Sequence, residues 1–167
     1  MMSQDGRGRV CVTGATGLLG SLLVLRLLER GYDVTVVSRD AERASAALAL
    51  PCDYVEWDKA TGAMPESALR DAVGVIHLAG ESVAGGRWNA EHKKRILDSR
   101  VLSTRTVVDG LKAEAARGGK PVFVCASAIG IYGDRGDEAL YETSHPSAGG
   151  ARSEEHTSEV QSRLHLV

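Results

Sequence analysis

Val10-Cys11-Val12-Thr13-Gly14-Ala15-Thr16-Gly17-Leu18-Leu19-Gly20 runs from a β-rich apolar stretch into glycines at every third position, and then into leucines. The pattern that follows predicts a helix over Leu18–Glu29, with Leu18, Leu19, Leu22, Leu23 and Leu27 apolar and Arg26, Glu29 and Arg30 polar. Gly31 stands where a left-handed residue would stop that helix. A strand opening directly into Gly14-x-x-Gly17-x-x-Gly20 and then a helix is the setting in which a glycine pattern can cradle phosphates. Gly14 permits the tight turn, Gly17 lets backbone approach a pyrophosphate, and Gly20 lets the helix lie close to the strand. Free N–H groups and the positive helix end then favour an anion. Gly14, Thr16, Gly17, Leu18 and Gly20 form the candidate phosphate-binding set. Strand, spacing and helix agree with one another, against a mere glycine-rich corner.

The same punctuation continues along the chain. Residues 34–37 read as a second strand and 41–50 as an alanine-rich helix closed by Pro51. A third strand over 53–57 and a short helix over 66–72 follow, then a fourth strand over 73–78. Asn89 can cap a long helix reaching about Arg117, with Gly110 as a point of interruption. Residues 121–126 read as the fifth strand, ended by Ser127. Strands alternating with helices predict a parallel sheet covered on both faces. The expected class is α/β, a Rossmann doubly wound parallel sheet with helices on both faces, truncated after about the fifth strand.

Bulk properties bound the function. The 167 residues suit one domain with a real core. The aromatic share is 4%, so that core must be mostly aliphatic. A net charge of −2 gives no case for nucleic acid or anionic membrane as partner. No apolar stretch approaches the roughly 18 residues of a membrane span. Residues 1–9 lack the apolar centre of a signal peptide. Cys11, Cys52 and Cys125 have no metal-ligand spacing and read as buried reduced thiols, and His156 with His165 matches no zinc pattern. No metal is expected, and a cytoplasmic protein fits this usage.

The end of the second strand bears on which dinucleotide fits. An NAD site wants an acid there for the ribose hydroxyls. Here Val37-Ser38-Arg39 offers a hydroxyl and a guanidinium suited to a 2′-phosphate. Asp40 is better placed to cap the helix beginning after it. NADP(H) is therefore preferred, with NAD(H) as the alternative and Arg39 as a merely solvated residue the bland one. The fourth strand ends Ile76-His77-Leu78-Ala79-Gly80-Glu81, where strand order reverses in such a sheet. Ala79 and Gly80 are small enough for backbone to approach a ribose. His77 reads as a packed strand histidine rather than a catalytic one.

These residues resemble a known group. Thr13 to Gly20 with Ser38-Arg39 looks like an extended or atypical short-chain dehydrogenase/reductase. The runs Leu78-Ala79-Gly80-Glu81-Ser82-Val83-Ala84-Gly85-Gly86-Arg87-Trp88, Ile96-Leu97-Asp98-Ser99-Arg100 and Ser127-Ala128-Ile129-Gly130-Ile131-Tyr132-Gly133-Asp134 are similar to the NAD-dependent epimerase/dehydratase-like branch, also described as nucleoside-diphosphate-sugar epimerase-like. The likeness covers about residues 9–150, roughly half of a typical member. It implies an NADP(H) site in which Ser38 and Arg39 hold the 2′-phosphate, Leu78 and Ala79 line the nucleotide, and Arg100 points toward the cofactor. From sequence alone Arg100 fits equally well on a solvated basic face with Lys93, Lys94 and Arg95. The resemblance also matches Ser127 to the serine that orients a substrate carbonyl or hydroxyl, making it the candidate catalytic residue.

The superfamily's Tyr-x-x-x-Lys pair, whose lysine lowers the tyrosine pKa for acid–base work, has no counterpart here. Tyr32, Tyr54, Tyr132 and Tyr141 are followed four residues later by Val36, Asp58, Gly136 and His145. The branch is itself atypical at this pair. Residues 152–162, Arg-Ser-Glu-Glu-His-Thr-Ser-Glu-Val-Gln-Ser, resemble with one substitution the translation of a common sequencing-library adapter. The expected organisation is an incomplete Rossmann domain over 1–151 and a non-native or disordered tail over 152–167. Strand five, apolar on both faces, would then be a bare and aggregation-prone edge. The expectation is an NADP(H)-binding oxidoreductase or epimerase-type protein acting on an unidentified small hydroxyl- or carbonyl-bearing substrate. The chain as given would be its cofactor-binding portion, not competent by itself. A non-catalytic dinucleotide-binding sensor is the alternative.

Overall fold

The computed structural model describes residues 6–57, 62–82, 87, 89–127 and 132–145. The tail over 152–167, and residues 83–86, 88 and 128–131 of the family-like runs, lie outside the described residues. Among the described residues nine elements follow one another: β1 (Arg9–Thr13), α1 (Leu18–Glu29), β2 (Asp33–Ser38), α2 (Ala41–Leu48), β3 (Asp53–Glu56), α3 (Glu66–Leu69), β4 (Ala72–His77), α4 (Ala90–Ala116) and β5 (Val122–Cys125). The strands form one five-stranded sheet in the order β3-β2-β1-β4-β5, every pairing parallel. This is the Rossmann arrangement the alternation predicts. Consecutive strands lie to one side of β1 until the chain crosses back to β4. The crevice of such a sheet lies where that reversal occurs, beyond the carboxyl ends of β1 and β4.

Period-two alternation sorts the strand residues between two cores. Val10, Val12, Val34 and Val36 face α1 and α2, packing with Ala15, Val24 and Ala44. Cys11, Val37 and Val75 face the other way, with Trp57, Met64, Ala68, Leu69 and Val107. The central strand is therefore buried on both faces, as a parallel strand under two helical layers must be.

Several expectations need correction. The buried stripe of α1 is Gly20 and Val24, with Leu23, Leu27 and Leu28 half-buried against the core. Leu18, Leu19 and Leu22 are exposed, Leu18 by 83%. The helix meets the sheet through small residues at its start, so the leucines beside Gly20 face outward. α2 stops at Leu48 because Ala49 turns left-handed (φ 49°) ahead of Pro51, which disfavours helix at the residue before it. α4 runs through Gly110 without interruption. A Cβ there would come within 2.6 Å of Leu69 Cδ1, so this glycine accommodates α3 rather than breaking α4. Of the three cysteines only Cys11 is fully buried, while Cys52 and Cys125 are half-buried. Val122 and Val124 are exposed on β5 at the edge of the sheet, in keeping with the edge position expected of strand five. Among the described residues, no helix is long and apolar enough to cross a membrane.

Candidate functional site

The glycine turn sits at the carboxyl end of β1. Gly14 has φ +73°, and a Cβ on it would lie 2.6 Å from the Leu78 carbonyl carbon and 2.7 Å from the Ala79 nitrogen. Gly14 therefore supplies both the left-handed turn and the close approach of the first loop to the loop after β4. Gly17 N–H donates to Gly14 O at 3.1 Å. A Cβ on Gly20 would lie 2.2 Å from Gly14 O, so the helix can begin only where that side chain is absent. Gly17 is the N-cap of α1 and provides no side-chain cap, and the first turn holds no acidic residue. The opening N–H groups of this helix thus face the cleft without a competing anion, which is what a phosphate requires.

A cavity of about 240 Å³ opens beside this turn. Gly14, Ala15, Thr16 and Gly17 line one side, Val36, Val37, Ser38, Arg39 and Trp57 another, and Leu78, Ala79, Gly80 and Glu81 a third. Eight of the sequence-derived candidates meet here: Gly14, Thr16, Gly17, Ser38, Arg39, Leu78, Ala79 and Gly80. The other four do not reach it. Gly20 is buried behind the turn, Leu18 points to solvent, and Ser127 is exposed beyond β5. Arg100 stands behind Gly80, its Cζ 3.3 Å from where a Cβ on that glycine would be. Burial pulls the Arg100 guanidinium below its ordinary pKa, against the opposing charge of Glu81. Its Nη1 donates to Ile96 O at 3.2 Å.

At the far end of the cavity the sequence reading is resolved at Asp40. Its Oδ1 accepts Arg43 N–H at 2.8 Å, so this carboxylate caps α2. Ser38 Oγ accepts Asp40 N–H at 3.3 Å, which leaves the hydroxyl hydrogen to donate. Arg39 is exposed at the rim and makes no hydrogen bond or ion pair within the described residues. Ser38 and Arg39 thus present a hydroxyl hydrogen and a guanidinium side by side at the rim of the cavity.

Two other parts of the site were missed from sequence. Trp57 follows β3, is 4% exposed, and lines the cavity, its backbone N–H donating to Ser38 O at 2.7 Å. The general rule that ligands sit beyond the carboxyl ends of parallel strands would have found it. Thr13 was read only as part of the glycine run. It accepts Leu78 N–H on its carbonyl at 3.1 Å and Ala79 N–H on its hydroxyl at 3.3 Å, tying two walls of the cavity together. Among the described residues no three His, Cys, Asp or Glu side chains gather as a metal site would need. Beneath the cradle the Cys11 thiol is pushed up to about 12 by burial, which makes it inert rather than a nucleophile.

Comparison with known proteins bears on the whole assembly. Residues 10–153 match the profile of the NAD dependent epimerase/dehydratase family. The epimerase family protein YfhF of Bacillus subtilis is 34% identical over 138 residues, which is 83% of this chain and 43% of that protein. The structure of MoeE5 in complex with UDP-glucose and NAD is 26% identical at a TM-score of 0.69, covering 94% of this chain and 48% of that one. The human epimerase family protein SDR39U1 with NADPH, at 24% identity and a TM-score of 0.66, shares the fold. The chain spans a little under half the length of these relatives.

Proposed function

The chain belongs to the NAD dependent epimerase/dehydratase family, and from that membership we propose that its cavity binds a nicotinamide dinucleotide, NADP(H) in preference to NAD(H). The pyrophosphate lies on the uncapped start of α1, held by backbone N–H groups around Gly14, Thr16 and Gly17. Ser38 and Arg39 hold the 2′-phosphate, while Leu78, Ala79 and Gly80 line the nucleoside. Gly20 keeps α1 close to the turn, Leu18 contributes its backbone N–H, and Arg100 adds positive charge behind Gly80. The bound cofactor would supply hydride transfer; these residues position it. The observation that supports the preference is Asp40 capping α2 beside an Arg39 that is exposed at the rim and has no ion-pair partner among the described residues.

For the whole protein, of which this chain spans under half the relatives' length, the proposed activity is oxidoreductase or epimerase chemistry. The substrate would be a small molecule with a hydroxyl or carbonyl, and Ser127 the residue that orients it. Cytoplasmic residence belongs to the same proposal. The second reading, a non-catalytic dinucleotide-binding sensor, would need no Tyr-x-x-x-Lys pair, and none stands in these 167 residues. Turnover by the longer parent separates the two. The cofactor claim is tested by titrating the chain with NADP⁺ and NAD⁺. Arg39→Ala should weaken NADP⁺ by about tenfold or more, the worth of a charge-assisted contact, and leave NAD⁺ within about twofold. Equal affinity for the two cofactors, with no effect of Arg39→Ala, contradicts it.

A further inference from the structure

His77 is 3% exposed at the end of β4, and both of its ring nitrogens have hydroxyl partners. Nδ1 lies 2.6 Å from Thr13 Oγ1 and Nε2 lies 3.0 Å from Ser103 Oγ on α4. The neighbours of those hydroxyls set the direction of each bond. Ser103 Oγ also contacts the carbonyl oxygens of Ser99 and, at 3.3 Å, Arg100. Carbonyls only accept, so the Ser103 hydrogen goes to them and its oxygen must accept from His77 Nε2–H. In a neutral ring whose one hydrogen is on Nε2, the unprotonated Nδ1 accepts, so Thr13 O–H donates to it while Thr13 Oγ1 accepts Ala79 N–H.

The result is one consistent path: Ala79 N–H to Thr13, Thr13 O–H to His77 Nδ1, His77 Nε2–H to Ser103, and Ser103 O–H to the Ser99 carbonyl. A second tie runs alongside, Glu81 N–H donating to Ser99 Oγ at 2.9 Å while Ser99 donates to Ile96 O at 2.8 Å. Both paths end on the wall of the cavity formed by Leu78, Ala79, Gly80 and Glu81.

We infer that neutral His77, protonated on Nε2, is a positioning residue that sets the loop after β4 against the bound dinucleotide by linking Thr13 to Ser103. This rests on reading the cavity as a dinucleotide site. The imidazole acts through Thr13 and touches no reacting atom. A hydrogen-bond path of fixed polarity favours the loop position on which it ends.

Nitrogen NMR of the histidine rings, amide exchange and NADP⁺ titration test this together on the chain and two variants. Near neutral pH, His77 should show a protonated Nε2 and a bare Nδ1. Thr13→Ser keeps the hydroxyl, and should keep Ala79 amide exchange and NADP⁺ affinity within about twofold of the parent. Thr13→Val removes the hydroxyl at equal size, and should speed Ala79 exchange and weaken NADP⁺ by about tenfold each. If Thr13→Val does not fold, His77→Gln, which retains one acceptor and one donor, should bind NADP⁺ within about threefold of the parent while His77→Leu loses about tenfold. A ring protonated on Nδ1, or Thr13→Val indistinguishable from Thr13→Ser in exchange, overturns the inference. Failure of the parent to bind either dinucleotide overturns the cofactor reading instead, and the exchange comparison still decides whether Thr13 and His77 position the loop.

Discussion

Val10-Cys11-Val12-Thr13 in β1 and Val122-Phe123-Val124-Cys125 in β5 are almost interchangeable as strand sequences, yet they sit in opposite surroundings. Every one of the four β1 residues is at most 5% exposed, whereas Val122 is 66% and Val124 50% exposed. Strand β1 has β2 and β4 as neighbours and helices over both faces. Among the described residues β5 pairs with β4, and its Phe123 packs against the core cluster that includes Val107 of α4. A strand's apolarity records that it can be buried; the sheet order decides whether it is. The functional cavity lies at the end of the strand that is covered all round, which is where a preorganised cradle can be held rigid.

The contrast can be broken first at the cradle itself. Gly14→Ala puts a Cβ at φ +73° against the Leu78 carbonyl. It should cost about 3–4 kcal/mol of stability and abolish dinucleotide binding, read by thermal melting and by titration. A variant that melts and binds like the parent would show that the two loops are not locked together. Next comes the matched pair Val12→Ala and Val124→Ala. The first opens a cavity beside β1 and should cost about 2–3 kcal/mol; the second removes an exposed methyl pair and should cost within about 0.5 kcal/mol. Equal costs in denaturant unfolding would mean that β5 is as buried as β1.

The smallest effect concerns the thiols. Under native conditions a thiol reagent should label Cys52 and Cys125 and leave Cys11 untouched until the protein unfolds. Burial raises the Cys11 pKa from 9.0 to about 12 in the folded protein. The unfolded chain therefore releases this proton first, and the contribution is intact below pH 9.0 and is lost as pH rises toward about 12. Melting temperatures that do not fall across that interval would contradict the assignment.

The alternation of strands with helices, the Gly14–Gly17–Gly20 turn and the Asp40 cap were all legible because each depends on local chemistry: side-chain periodicity, glycine's freedom and a short acceptor before a helix. Where the reading fell short, the cause lay in distant partners. Leu18, Leu19 and Leu22 read as a core stripe, but Gly20 and Val24 take the place against the sheet. Gly110 read as a break because its contact with Leu69 is invisible along the chain. Ser127 and Arg100 carried a resemblance, and the first stays outside the cavity while the second supports it from behind Gly80. Trp57 and Thr13 were passed over because each acquires its role only when β3, β2, β1 and β4 end along one edge of the sheet.

The central claim is that the dinucleotide lies at the end of β1 and β2 and not against the bare face of β5. Amide chemical-shift mapping of the chain during an NADP⁺ titration tests it directly. Saturable shifts should concentrate at residues 14–20, 38–39 and 78–81, with Val122 and Val124 unmoved. Shifts centred on β5, or none in the glycine turn at saturation, would contradict it.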